Sequence, residues 1–192
     1  MIWLILLILS KINHNSPIFA RMKLLAEISE KSLGIGDLHA NLGAQYQLRK
    51  SARAIVLNAE GKMATQHLTT YAYHKLPGGG VDPGETVEEG LKREVLEEVG
   101  CDCEIIRPVG MTLEYRNHFD LLHISYCYAC RVVGEIGEPE LEENEIEEGQ
   151  ITLWLDPAEA LAKMKTDHPL KTEGFFILKR EICFMEEFLD GE

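Results

Sequence analysis

Positive charge is scarce in this chain. Nineteen lysines and arginines face 32 aspartates and glutamates, for a formal net charge of −13. A long nucleic-acid polymer wants a basic face, so it is excluded as a partner. A small phosphorylated ligand is not excluded, because a divalent cation can stand between phosphate and carboxylate. No internal repeat or low-complexity tract is present. No apolar run reaches the about 20 residues that a spanning helix takes. Met1–Leu9, MIWLILLIL, comes nearest and stops short. No basic residue precedes it, as one would in a signal peptide. Lys11 and Arg21 follow it instead, and Met22-Lys23-Leu24 reads as an ordinary start. Residues 1–21 are therefore read as a non-native or disordered extension, with a membrane-associating or secretory segment as the alternative.

Ligand spacings for a zinc or redox centre are lacking as well. His67, His74 and His123 form no metal pattern. The five cysteines are an odd number, at 101, 103, 127, 130 and 183. Cys127 and Cys130 lie in a strand-like run, where residues three apart face opposite sides. Buried, reduced thiols in a cytoplasmic protein are expected.

What is present suits one soluble globular domain of 192 residues, with 27% charged and 45% hydrophobic residues. Residues 22–46 read as an irregular lead-in, and 47–189 as the domain proper. Leu48–Leu57 is strand-like, Asn58–Gly61 is a turn, and Lys62–Lys75 reads as one returning strand. Cys101, Cys103 and Ile105 alternate with polar residues, as do Val109, Met111, Leu113 and Tyr115. In Leu121–Val133 one face is apolar; the other, with His123, Ser125 and Cys127, is mixed enough to line a cleft. The acidic stretch Glu135–Glu148 reads as a loop. Ile151–Leu155 is a short strand. Asp156-Pro157 opens a helix, and Leu178, Ile182, Met185 and Leu189 mark a final amphipathic one.

The densest signal is Gly78–Cys101, GGGVDPGETVEEGLKREVLEEVGC. Thr86 and Glu89 form a capping box that starts a helix, and Gly100 ends it. Val87, Leu91 and Val95 give it a stripe to bury. Glu94, Glu97 and Glu98 share a face within about one turn, where unscreened carboxylates would repel. A hard cation such as Mg²⁺ explains such a cluster beside a glycine loop that lets backbone approach an anion. Arg93 is placed to pair with Glu97 or to reach back to Glu85.

This stretch resembles the signature of the Nudix hydrolases. Its fixed positions are Gly79, Glu85, Arg93, Glu94, Val95, Glu97, Glu98 and Gly100, followed by Cys101 where an aliphatic residue is usual. Cysteine packs there as a small hydrophobe. The resemblance implies an α/β fold, an α/β/α sandwich with a mixed sheet flanked by helices. It implies Mg²⁺-dependent hydrolysis of a diphosphate bond in a nucleoside diphosphate linked to another group, with Mn²⁺ as a possible substitute. Glu94, Glu97 and Glu98 would ligate metal, with the Gly79 carbonyl as an added ligand, and Glu85 and Arg93 would form a supporting pair. Glu143 or Glu145 would supply a further carboxylate. Arg49, Lys50, Arg53 and Lys75 are the basic residues nearest the loop in sequence, any of which can hold a phosphate. Tyr115, Arg116, Asn117 and His118 follow a strand and are candidates for reading a base. A nucleoside triphosphate or oxidised nucleotide is the favoured substrate, a homodimer is common among such relatives, and a catalytically silent sensor that binds a nucleotide or sugar nucleotide is the rival reading.

Overall fold

The computed structural model describes residues 22–36 and 46–191. The N-terminal extension, residues 1–21, and residues 37–45 of the lead-in lie outside the described residues. Among the described residues, seven strands, β1 (Leu24–Ser29), β2 (Gln47–Leu57), β3 (Met63–Leu68), β4 (Tyr73–Lys75), β5 (Asp102–Arg116), β6 (Leu121–Val133) and β7 (Gln150–Leu155), form one mixed sheet. Their order is β1-β5-β6-β2-β3-β4, with β7 on β3. The pairs β1–β5 and β2–β6 are parallel and the rest antiparallel.

Residues 22–36 overturn the expectation of an irregular lead-in. β1 (Leu24–Ser29) is an edge strand on β5, with Ser29 beside Tyr115, and it leads into the one-turn helix α1 (Glu30–Leu33). Its burial rises only towards its end, so it lacks the strict alternation of a half-buried strand. β2 (Gln47–Leu57) runs along β6 in continuous register. The expected single return is instead two strands, β3 (Met63–Leu68) and β4 (Tyr73–Lys75). Between them the Thr69 and Thr70 hydroxyls donate to the carbonyls of Gly149 and Glu147, and Ala72 adopts a φ of 57°. These contacts come from residues about 80 positions away, which no local pattern announces.

After helix α2 (Val87–Val99), the two alternating runs prove to be one strand, β5 (Asp102–Arg116), whose register shifts twice between Ile105 and Gly110. β6 spans Leu121–Val133. The acidic loop contains a short helix, α3 (Glu143–Glu147), which departs from the loop reading. β7 (Gln150–Leu155), α4 (Pro157–Thr166) and α5 (Thr172–Asp190) complete the chain.

The sheet is covered on both faces. Leu91, Val95 and Val99 of α2 pack on Ala52, Ala54, Tyr126 and Tyr128. On the reverse, Phe184, Met185 and Phe188 of α5 and Met164 of α4 pack on Ile55, Cys127 and Ala129. Each large apolar side chain so buried stabilises the fold by roughly 1.5–3 kcal/mol. Cys127 and Cys130 fall in opposite layers, and all five cysteines are free. The mixed face of β6 does not line a cleft: His123 and Ser125 are buried, with the Arg180 side chain of α5 3.4 Å from the Ser125 hydroxyl. Among the described residues no helix is long and apolar enough to cross a membrane.

One irregularity positions the site. β2 and β3 pair only at Leu57–Met63 and then diverge. Residues 76–81 fill the split, with Ala54 N–H donating to Pro77 O, Ala52 N–H to Gly79 O, and Val81 N–H to Lys50 O.

Candidate active site

The glycines are set by the closeness of this loop to its neighbours. Gly78 has a φ of 126°, and a Cβ there would lie 2.2 Å from the Ala52 carbonyl oxygen. A Cβ on Gly79 would lie 2.4 Å from the Glu94 carboxylate. Position 79 is thus bare because Glu94 occupies the space a side chain would need.

Helix α2 begins as its sequence implies. Thr86 Oγ1 accepts from Glu89 N–H at 3.2 Å, and the Glu89 carboxylate accepts from Thr86 N–H at 2.8 Å. Gly100 closes it with a φ of 75°. Burying the Leu91–Val95–Val99 stripe turns residues 93, 94, 97 and 98 towards the loop.

Arg93 makes both of the expected contacts and two more. It donates to Glu85 at 2.9 Å, to Gly80 O at 2.9 Å, and from one nitrogen to both Glu94 and Glu97 at 2.9 Å. The Glu85–Arg93 pair therefore ties loop to helix, and the same guanidinium sets the spacing of two carboxylates. Side-chain exposure falls from 36% at Glu97 through 13% at Glu94 to 1% at Glu98. Glu98 is the most engaged of the three: it accepts from Lys75 at 3.1 Å and Gln150 at 3.0 Å on one oxygen and from Gly78 N–H on the other. Burial would raise its pKa, but Lys75, the Gly78 N–H and Arg53 outweigh that and leave it below the usual range. Glu94 moves the other way, pushed up by burial and then by the Glu98 charge.

These groups line a polar cavity of about 160 Å³. Gly79, Glu94, Glu97, Glu98, Arg49, Arg53, Lys75 and Glu145 all border it. Glu145 is buried, and burial pushes its carboxyl up to about 7 even though the Glu142 N–H donates to it. Other expected residues lie elsewhere. Glu143 is exposed and outside the lining. Lys50, Tyr115 and Arg116 are outside it too. Tyr115 is buried edge-on to Tyr46, with ring centroids 6.0 Å apart. Arg116 is committed to Glu114 at 2.7 Å and lies over the Phe176 ring. Asn117 donates to Glu30, and His118 N–H does the same, which serves a turn. Glu142, Asn144 and Glu148 join the lining unannounced; only the helical phase of α3 would have separated them from their neighbours.

Among the described residues no three acidic, histidine or cysteine groups already converge as a finished ligand cluster. The donor set still fits a hard cation. It is oxygen-only, and the Glu94–Glu98 repulsion is of the kind a cation relieves.

The NUDIX domain family model matches residues 47–173. Three curated proteins are similar over shorter stretches. A nucleoside triphosphatase NudI from Enterobacter sp. (strain 638) is 48% identical over 44 residues, 23% of this chain and 31% of that protein. A Bacillus subtilis (strain 168) protein provisionally named 8-oxo-dGTP diphosphatase is 37% identical over 62 residues, 32% of this chain and 42% of that protein. An RNA pyrophosphohydrolase from Erwinia tasmaniensis is 30% identical over 64 residues, 33% of this chain and 37% of that protein. The matched stretches thus span less than half of each curated relative. Among solved structures, a NUDIX hydrolase from Nitrosomonas europaea superposes with a TM-score of 0.57 at 17% identity, covering 76% of this chain and 90% of that one. A MutT protein from Methanosarcina mazei gives 0.53 at 19%, covering 77% and 98%. Both likenesses concern the fold.

Proposed function

The chain belongs to the Nudix family, and from that premise we propose that it hydrolyses a diphosphate bond in a small nucleotide, with a nucleoside triphosphate or an oxidised nucleotide as substrate. The observation that carries this reading is the mixed charge of one cavity. Glutamates of α2 and α3 border it together with Arg49, Arg53 and Lys75. Carboxylates alone would repel a diphosphate, and cations alone would not gather a metal.

Glu94, Glu97 and Glu98 would hold Mg²⁺ or Mn²⁺, with the Gly79 carbonyl adding a lone pair beyond the one given to Ala52. A bound divalent cation supplies charge neutralisation on phosphoryl oxygens and a lowered pKa for water. Arg53 and Lys75 orient the phosphates from β2 and β4. Glu145 accepts the proton of the attacking water, a task that suits a carboxyl whose pKa lies near neutrality. Arg93 touches no reacting atom in this scheme; through Glu85 and Gly80 it fixes the loop against the helix. The free cysteines support a reducing, cytoplasmic setting.

The experiment is a nucleotide and sugar-nucleotide panel with Mg²⁺ in ¹⁸O water, with products identified by mass. Release of a labelled monophosphate or pyrophosphate from a nucleoside triphosphate is expected. Tight nucleotide binding with no product from any member of the panel would instead support the silent sensor.

A further inference from the structure

Behind the cavity, between the sheet and α5, lies a buried ionic cluster that the proposed chemistry does not use. Arg180 is 1% exposed and Glu181 and Glu114 are wholly buried. Arg180 donates to one Glu181 oxygen at 2.6 and 3.1 Å and to Glu114 at 2.9 Å. The second Glu114 oxygen is taken by Arg116. Arg53, 7% exposed, reaches from this cluster to the cavity wall. Its Nε stays 4.0 Å from Glu181 Oε1, and its Nε and Nη1 have no hydrogen-bond partner. Glu181 Oε2 is likewise buried and unpartnered.

That gap runs against simple electrostatics. A buried arginine and a buried carboxylate with open donors and an open acceptor gain most by closing to hydrogen-bond distance. The attraction is spent elsewhere. Three buried guanidiniums, Arg53, Arg116 and Arg180, share two carboxylates, Glu114 and Glu181. Of the three, Arg53 on the cavity wall is the one with no hydrogen bond to either carboxylate. Burial and then the neighbouring Arg180 charge push Arg53 below the ordinary arginine range, although Glu181, Glu98 and Glu94 pull it the other way.

We propose that Arg180 is a positioning residue: by binding the Glu181 carboxylate it keeps that group off Arg53 and leaves the Arg53 charge for a phosphate in the cavity. This rests on the reading of the cavity as a diphosphate site. Without Arg180, the Glu181 side chain is free to swing onto Arg53 and neutralise it from behind.

The test is calorimetric titration of magnesium pyrophosphate into the full chain, with thermal unfolding of every variant as a control. Arg53→Met is expected to weaken binding by about tenfold or more, the smaller end of the worth of a charge-assisted hydrogen bond. Arg180→Met should weaken it by about tenfold as well, because the freed Glu181 captures Arg53. Adding Glu181→Leu to Arg180→Met should then restore affinity to within about threefold of the natural chain. A merely structural role for Arg180 does not give that rescue. Unchanged binding by Arg180→Met, or a double variant no better than the single one, overturns the proposal. If Arg180→Met does not fold, Glu181→Gln decides: binding equal to or tighter than that of the natural chain is expected, and a clear loss overturns the proposal. Unchanged binding by Arg53→Met overturns the reading of the cavity itself, which separates the two failures.

Discussion

Two sets of glutamates in this molecule are built from the same side chain and do different work. Glu94 and Glu97 sit at the mouth of a split sheet, partly exposed, and share a single arginine. Glu114 of β5 and Glu181 of α5 meet between the sheet and that helix, fully buried, each held by Arg180. A carboxylate at the mouth keeps oxygens open to a cation. A carboxylate under the helix has already given up its water, and breaking its pairing leaves a bare charge in the interior. Function is expected to be concentrated in the first set and stability in the second.

The sharpest contrast comes from neutralising one member of each set. Glu97→Gln should cut turnover about 10²–10³-fold, as loss of a charge-stabilising group does, while thermal unfolding stays close to that of the natural chain. Near-normal turnover would remove Glu97 from the site. Glu114→Gln should do the reverse at the level of the fold, costing about 3–5 kcal/mol in denaturant unfolding because Arg180 and Arg116 lose their shared anion. Equal stability losses from both substitutions would erase the distinction.

A smaller effect is expected with pH. Burial lowers His123 from 6.5 to about 4 despite Glu114 nearby, and its Nε2 is 2.9 Å from the Ser51 hydroxyl. Between those pH values the unfolded chain takes up the proton and the folded chain does not. Stability is therefore full above pH 6.5 and falls as pH drops towards 4, by about 3 kcal/mol. Replacing His123 by Gln should flatten that window when unfolding is measured across it. The smallest effect belongs to the cap of α2. Thr86→Ala should cost about 1 kcal/mol, with activity following only through the population of folded helix.

The mouth of the site was legible in the sequence because its determinants are local. A capping box, a three-residue apolar stripe and a terminal glycine all lie within residues 86–100, and Arg93 reaches Glu85 only eight positions away. The cluster under α5 was not legible. Arg180 meets Glu114 across 66 positions, and nothing in the pattern around either distinguishes it from a surface charge. The mixed face of β6 carried half of that signal. His123 and Ser125 looked like cleft residues because polar side chains on a strand usually mean water, whereas here they satisfy a buried arginine and serine. Arg116 misled for the same reason: an arginine at a strand end reads as a ligand contact until its Glu114 partner is seen. The split between β2 and β3 also escaped, since it depends on where residues 76–81 come to lie beside β2.

We propose that the glutamates of α2 act through a divalent cation on a diphosphate held by Arg53 and Lys75. The most direct measurement is product release from a nucleoside triphosphate by the full chain, first stripped with EDTA and then titrated with Mg²⁺. The expected result is no hydrolysis in EDTA and saturable recovery with Mg²⁺, lost in Glu97→Gln. Hydrolysis that persists unchanged without metal would contradict the account.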